Sequence, residues 1–142
     1  MLHKLYKNIL IADQVNSLKK LSGNIVIVGC ENSGKKTLLK NAFPNYTLLN
    51  ISELNEERLK KLYQSSVFTN CIYLIIIGCQ NNNHSKLIAS LIDKYSQQFV
   101  FLICIRTWNQ IGIEILSRCT IWYLKLPTYE NKVELLQNIC DL

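Results

Sequence analysis

A chain of 142 residues is the size of one domain, long enough for a two- or three-layer core. Hydrophobic residues make up 49% and charged residues 18%, which excludes a disordered chain, and five Gly with two Pro disfavour a loop-rich all-β design. The formal charge of +6 favours phosphate backbones or acidic partners by field alone, but Lys19-Lys20, Lys35-Lys36 and Lys60-Lys61 are short pairs on separate segments, which reads as a solvated surface. The six cysteines, at 30, 71, 79, 104, 119 and 140, form no C-x-x-C pair, so neither a zinc site nor a disulfide framework is expected. The N-terminus lacks the pattern of a signal peptide, and the longest apolar run, Cys71 to Cys79, is too short to cross a bilayer. The reading is an intracellular chain, nuclear or cytoplasmic, with no membrane partner.

No repeat or linker divides residues 1–142, which are expected to form one domain. Residues 1–22 read as an N-terminal helical segment, with Leu5, Ile9, Leu10, Val15, Leu18 and Leu21 at roughly helical spacing. Asn24 to Val28 is a short strand, Gly29 to Gly34 a turn, and Lys35 to Phe43 a helix closed by Pro44. Tyr46 to Ile51 is a second strand, and Ser52 is expected to cap a helix through Gln64. Cys71 to Ile77 is continuously apolar, as in a parallel strand covered on both faces. His84 to Tyr95 is a helix with Leu87, Ile88, Leu91 and Ile92 on one face, and Phe99 to Ile105 is another buried strand. Ile111 to Leu116 is a short helix or turn, Thr120 to Leu126 a fifth strand, and Thr128 caps a last helix to Cys140. Strands alternating with helices predict an α/β fold: a five-stranded parallel sheet flanked by helices in three layers.

Gly29-Cys30-Glu31-Asn32-Ser33-Gly34-Lys35 fits the first seven positions of the phosphate-binding pattern G-x-x-x-x-G-K-[ST]. The chemistry needs a strand to deliver a Gly-rich turn whose N–H groups, with the following helix N-terminus, surround phosphate oxygens. Ile25-Val26-Ile27-Val28 before the turn and Thr37-Leu38-Leu39-Lys40 after it supply that context, and Lys35 would bridge the β- and γ-phosphates. ATP or ADP is therefore the expected ligand, held by residues 29–37. One position departs: the hydroxyl that should reach Mg²⁺ is replaced by Lys36, and Thr37 comes one residue late, roughly 100° round the helix. Mg²⁺ placement is not expected to be normal.

A hydrolytic site also needs a carboxylate at the end of the strand opposite the loop, and often a second to activate water. Tyr73 to Ile77 is followed by Gly78-Cys79-Gln80-Asn81-Asn82-Asn83, without an acid. Asp93, the nearest one downstream, falls in a helix and is expected to face solvent. Losing both groups removes several powers of ten in rate, since each is worth roughly 10²–10⁴.

The run Asp93 to Cys104 resembles the helix-to-strand passage of AAA+ clamp loader small subunits of the replication factor C type. Ser117-Arg118-Cys119, and Trp122 to Pro127 after it, are similar to that family's Ser-Arg-Cys motif and following strand, and Gly34-Lys35-Lys36-Thr37 matches the phosphate loop of one branch. Residues 20–140 share the resemblance. It implies that Arg118 is an arginine finger acting in trans on a neighbour's ATP, a task suited to a permanently charged planar donor. It further implies other AAA+ clamp-loader-like subunits as partners, with a sliding clamp and primed DNA reached through the assembly. Without the family, Arg118 reads as a surface residue or a partner of Glu114. Departures accompany the likeness. The family's Asp-Glu pair aligns with Gly78 and Cys79, and its strand-ending Asn falls near Ile105, with Asn109 nearby. Residues 128–142 correspond to the first helix of the family's lid, so neither lid sensing nor a collar is expected.

Three functions follow as expectations: a non-catalytic or weakly catalytic clamp-loader-like subunit in DNA replication or repair, a stand-alone nucleotide enzyme recruiting Asp13, Glu31, Glu53 or Glu114, and an interaction module whose loop is a relic.

Overall fold

The computed structural model describes residues 12–29, 34–65, 72–80 and 84–124. The start of the N-terminal helix, the loop residues Cys30, Glu31, Asn32 and Ser33, and the helix expected from Thr128 lie outside the described residues. The chain runs α1 (Ala12–Lys19), β1 (Ile25–Val28), α2 (Lys35–Ala42), β2 (Tyr46–Asn50), α3 (Glu56–Ser65), β3 (Ile72–Ile77), α4 (Ser85–Tyr95), β4 (Phe99–Ile105), α5 (Ile113–Leu116) and β5 (Thr120–Tyr123). The five strands form one sheet in the order β2-β3-β4-β1-β5, and every pairing is parallel.

Alternation along the strands divides the core between two faces. Val26 and Val28 of β1, with Phe99, Phe101, Ile103 and Ile105 of β4, pack on one side with Leu59 of α3, Ile88, Leu91 and Ile92 of α4, and Ile115 of α5. Ile25, Ile27, Leu102 and Cys104 point the other way, against Leu18 of α1 and Leu38, Leu39 and Ala42 of α2. The result is the predicted three-layer α/β architecture. No described helix is long and apolar enough to cross a membrane.

Two expectations change in detail. Ser52 does not start a long helix: Ile51–Glu53 is a single 3₁₀ turn capped by Asn50, whose Oδ1 accepts the Ser52 N–H at 3.2 Å. Ile51 and Leu54, three residues apart, both turn into the core, which breaks the helix there. Asn55 then caps α3, accepting the Arg58 N–H at 2.8 Å. On α4, Leu87 is exposed, because it lies 100° from Ile88 at the edge of the buried stripe.

Asn24 fastens the start of β1 to both neighbours. Its side-chain oxygen accepts the Phe101 N–H of β4 at 2.9 Å, and its backbone carbonyl accepts the Thr120 N–H of β5 at 2.8 Å. Asn24→Ala leaves the Phe101 N–H without its partner and is expected to lower stability by about 1–3 kcal/mol in urea unfolding. Asn24→Asp keeps an acceptor and should lose less; equal losses would contradict this role.

Burial also sets a pH dependence. Desolvation pushes the Cys79 thiol up to about 11 and the Cys104 thiol to about 12, from an ordinary value of 9.0. The folded chain holds these protons more tightly than the unfolded chain. Their stabilisation is complete below about pH 9 and is lost as pH climbs toward 11–12. The urea midpoint should therefore fall between pH 9 and pH 10, and less steeply in a Cys79→Ala/Cys104→Ala variant. An unchanged slope in the variant would assign the decline to other groups.

Candidate nucleotide site

β4 stands between β1 and β3, so the carboxyl ends of these three strands open onto one mouth, where open α/β sheets hold ligands. The Gly29 N–H donates to the Ile105 carbonyl at 3.1 Å, which keeps the exits of β1 and β4 abreast. Gly34 closes the loop with φ +88°, a left-handed conformation that only glycine adopts cheaply, and serves as N-cap of α2. Gly34 brings no side-chain cap to that helix, whose first turn borders the mouth. Lys35 and Lys36 occupy the first turn, the wrong sign for the positive end of a helix dipole. A bound anion removes that conflict.

The mouth holds a cavity of about 520 Å³, within the range of small-molecule sites. Its described lining is Gly34, Lys35, Lys36 and Thr37 from the loop end and α2, residues 77–80 after β3, residues 104–106 at the end of β4, and Gln110. Lys35 Nζ donates to the Gly29 carbonyl at 2.5 Å, which folds the ammonium back over the base of the loop. Of the predicted phosphate-binding residues, Gly34, Lys35, Lys36 and Thr37 come together here, Gly29 supplies that carbonyl, and residues 30–33 lie outside the described residues.

No carboxylate is among the described lining residues. The positions after β3 hold Gly78, Cys79 and Gln80. Gly78 has φ +84°, and a Cβ there would fall 2.8 Å from the Asn50 side chain, so the wall demands glycine. Cys79 is buried and held as a neutral thiol. Glu53 spends an oxygen on the Asn50 N–H at 3.3 Å, and neither it nor Glu114 lines the cavity.

Two lining groups were not singled out from sequence. Gln110, in a one-turn 3₁₀ helix (Trp108–Gln110), accepts the Arg106 N–H at 2.6 Å and the Thr107 N–H at 3.0 Å through Oε1. Its Nε2 donates to the Cys79 carbonyl at 2.6 Å, which ties the end of β4 to the end of β3. Arg106 follows β4 directly and adds a third cation to the lining. Asn109 does not line the cavity; its side chain accepts the Thr107 hydroxyl.

Arg118 stands apart, in a shallow groove shared by α4 and α5. It meets the Asp93 carboxylate in a two-toothed fork, Nε to Oδ1 at 2.8 Å and Nη2 to Oδ2 at 3.0 Å. Its Nη1 donates to the Glu114 carbonyl at 2.6 Å. The guanidinium holds the Asp93 carboxyl below its ordinary value, first by the hydrogen bond and then by charge. Asp93 is thus engaged with Arg118 on the outer face and does not line the cavity.

No protein-family model matches the chain, and no curated protein does. Solved structures do. A variant of RuvB from Thermotoga maritima superposes with a TM-score of 0.60 at 14% identity, over 99% of this chain and 51% of that one. A chain of the HORMA:CdnC:Trip13 complex from E. coli MS115-1 gives 0.57 at 14% identity, over 96% and 60%. A DNA polymerase III gamma subunit-related protein from Thermotoga maritima gives 0.58 at 12% identity, over 90% and 54%. The chain thus spans roughly half the length of the solved chains it resembles. Identities this low speak of fold alone, and the shared fold is the three-layer one with a five-stranded parallel sheet flanked by helices.

Proposed function

We propose that this chain is a non-catalytic or weakly catalytic AAA+ subunit of clamp-loader-like type, acting in DNA replication or repair. It binds ATP or ADP at residues 29–37 and offers Arg118 to the nucleotide of a neighbouring subunit. The observation that carries this reading is the cavity at the ends of β3 and β4. Lys35, Lys36 and Arg106 contribute three cations to it, and its described lining contributes no carboxylate.

The loop amides and the N-terminus of α2 receive the phosphates, Gly34 supplies the left-handed turn, and Lys35 swings from the Gly29 carbonyl to a phosphate oxygen. Hydrolysis asks for more. Phosphoryl transfer depends on a metal held by oxygen ligands and on a group that orients water. A buried neutral thiol at Cys79 does neither, and Gln110 and the Cys79 carbonyl are already committed to each other. Arg118 lies on the outer face, where it would exchange its bonds to Asp93 and the Glu114 carbonyl for a neighbour's phosphate. The likeness of fold to a DNA polymerase III gamma subunit-related protein and to RuvB is compatible with such an assembly.

Calorimetry should find submillimolar binding of ATP and ADP, weakened at least about tenfold by Lys35→Ala, with negligible turnover by the chain alone. Brisk Mg²⁺-dependent hydrolysis would instead indicate a stand-alone enzyme, and no binding would mark the loop as a relic. Mixed with AAA+ subunits that co-purify from its source, the chain should stimulate their ATPase, and Arg118→Ala should remove most of the stimulation. Fingers of this kind contribute about 10³–10⁵ in rate. Equal effects of wild type and variant on every partner would overturn the finger role.

A further inference from the structure

The metal ion that ordinarily accompanies a nucleoside triphosphate does not fit the described lining of this cavity. Mg²⁺ demands near-octahedral oxygen ligands and gives up water reluctantly. The described lining offers few such oxygens. Gln110 Oε1 already accepts two backbone N–H groups, and the Cys79 carbonyl already accepts Gln110 Nε2. Cys79 and Cys104 present sulfur in place of oxygen, and desolvation keeps both protonated. Thr37 carries the hydroxyl nearest to the usual position, one residue late in α2. Lys36, in the position that elsewhere holds the metal's hydroxyl ligand, repels a divalent cation outright.

The same groups suit a polyanion that arrives without metal. Lys35 and Lys36 approach from the first turn of α2, while Arg106 approaches from the end of β4. Together with the positive end of the helix dipole, they border one mouth from two elements, and the charged groups of its described lining are all cations. A bare triphosphate carries about four negative charges and its Mg²⁺ complex about two, so the three cations of the described lining favour the bare form. A guanidinium is also the better partner for two phosphate oxygens at once.

We infer that this site selects metal-free nucleoside triphosphate over its Mg²⁺ complex, with Lys36 and Arg106 supplying the positive charge that Mg²⁺ supplies in hydrolytic P-loop sites. The inference rests on the nucleotide-binding reading above and specifies which form of the ligand is held.

The test is calorimetry of the full chain with ATP, in a chelating buffer and in excess Mg²⁺, at matched ionic strength. The dissociation constant should be at least about tenfold higher with Mg²⁺. Lys36→Thr and Arg106→Ala should each weaken binding of bare ATP by about three- to tenfold and narrow the gap between the two buffers. Both side chains are exposed, so thermal unfolding without ligand checks that the variants fold, and the ATP-induced rise in Tm provides a second readout. Binding that is equal or tighter in Mg²⁺ overturns the inference and leaves the nucleotide reading standing. An unchanged gap in both variants also overturns it. Absence of binding in either buffer overturns both.

Discussion

The chain passes from β1 through α2 to β2 and β3 before β4 returns between β3 and β1. That insertion makes β4 the centre of the sheet, gives it four inward residues on the α3–α5 side, and brings the ends of β1, β4 and β3 to one mouth. The cavity at this end of the sheet depends on it. The N-terminus of α2, the residues after β3 and the residues after β4 are far apart in sequence, and only this strand order makes them walls of one cavity. Asn24 holds the register at the lower end of β1 and Gln110 ties β4 to β3 at the upper end, so the arrangement is pinned from both sides of the sheet.

The electrostatics of the mouth then follow from residue types. Cations at a helix N-terminus are unfavourable by themselves, and Lys36 makes the conflict worse where a neutral hydroxyl would have eased it. Such a local violation is what a ligand site looks like when its ligand supplies the missing charge. Gly78 and Cys79 follow β3 and bring no carboxylate to the cavity, and the wall packs tightly there. Gly78 lies against Asn50, which also caps the turn after β2, while Cys79 is buried in the core cluster on the α3–α5 side of the sheet. The described lining of the mouth thus carries cations and no carboxylate.

Much of this was legible in the sequence because it is periodic or local. The β-branched run Ile25 to Val28, the apolar run to Ile77 and the helix start at Lys35 are each stated within a few residues, and the strand Phe99–Ile105 matches its expected bounds. What was missed is non-local or depends on competition. Ser52 and Asn55 both qualify as caps, and burial of Ile51 and Leu54 decided for Asn55. Gln110 reaches Cys79 across thirty-one positions and Asn24 reaches Phe101 across seventy-seven, links that no spacing rule reveals. Arg106 escaped notice because its importance comes from the cavity it borders, and that cavity exists only once β4 is placed. For Arg118 the sequence suggested Glu114 as a structural partner. The fold supplies its backbone carbonyl and adds the carboxylate of Asp93, twenty-five positions away.

A crystal structure of the chain with a non-hydrolysable ATP analogue, grown in millimolar Mg²⁺, bears most directly on the central claim. The account predicts phosphates seated on the amides around Gly34 and Lys35, with Lys36 and Arg106 closing on them and no magnesium bound by a protein side chain. An analogue lodged in another cavity, or a magnesium ion coordinated by a carboxylate of this chain, would contradict it.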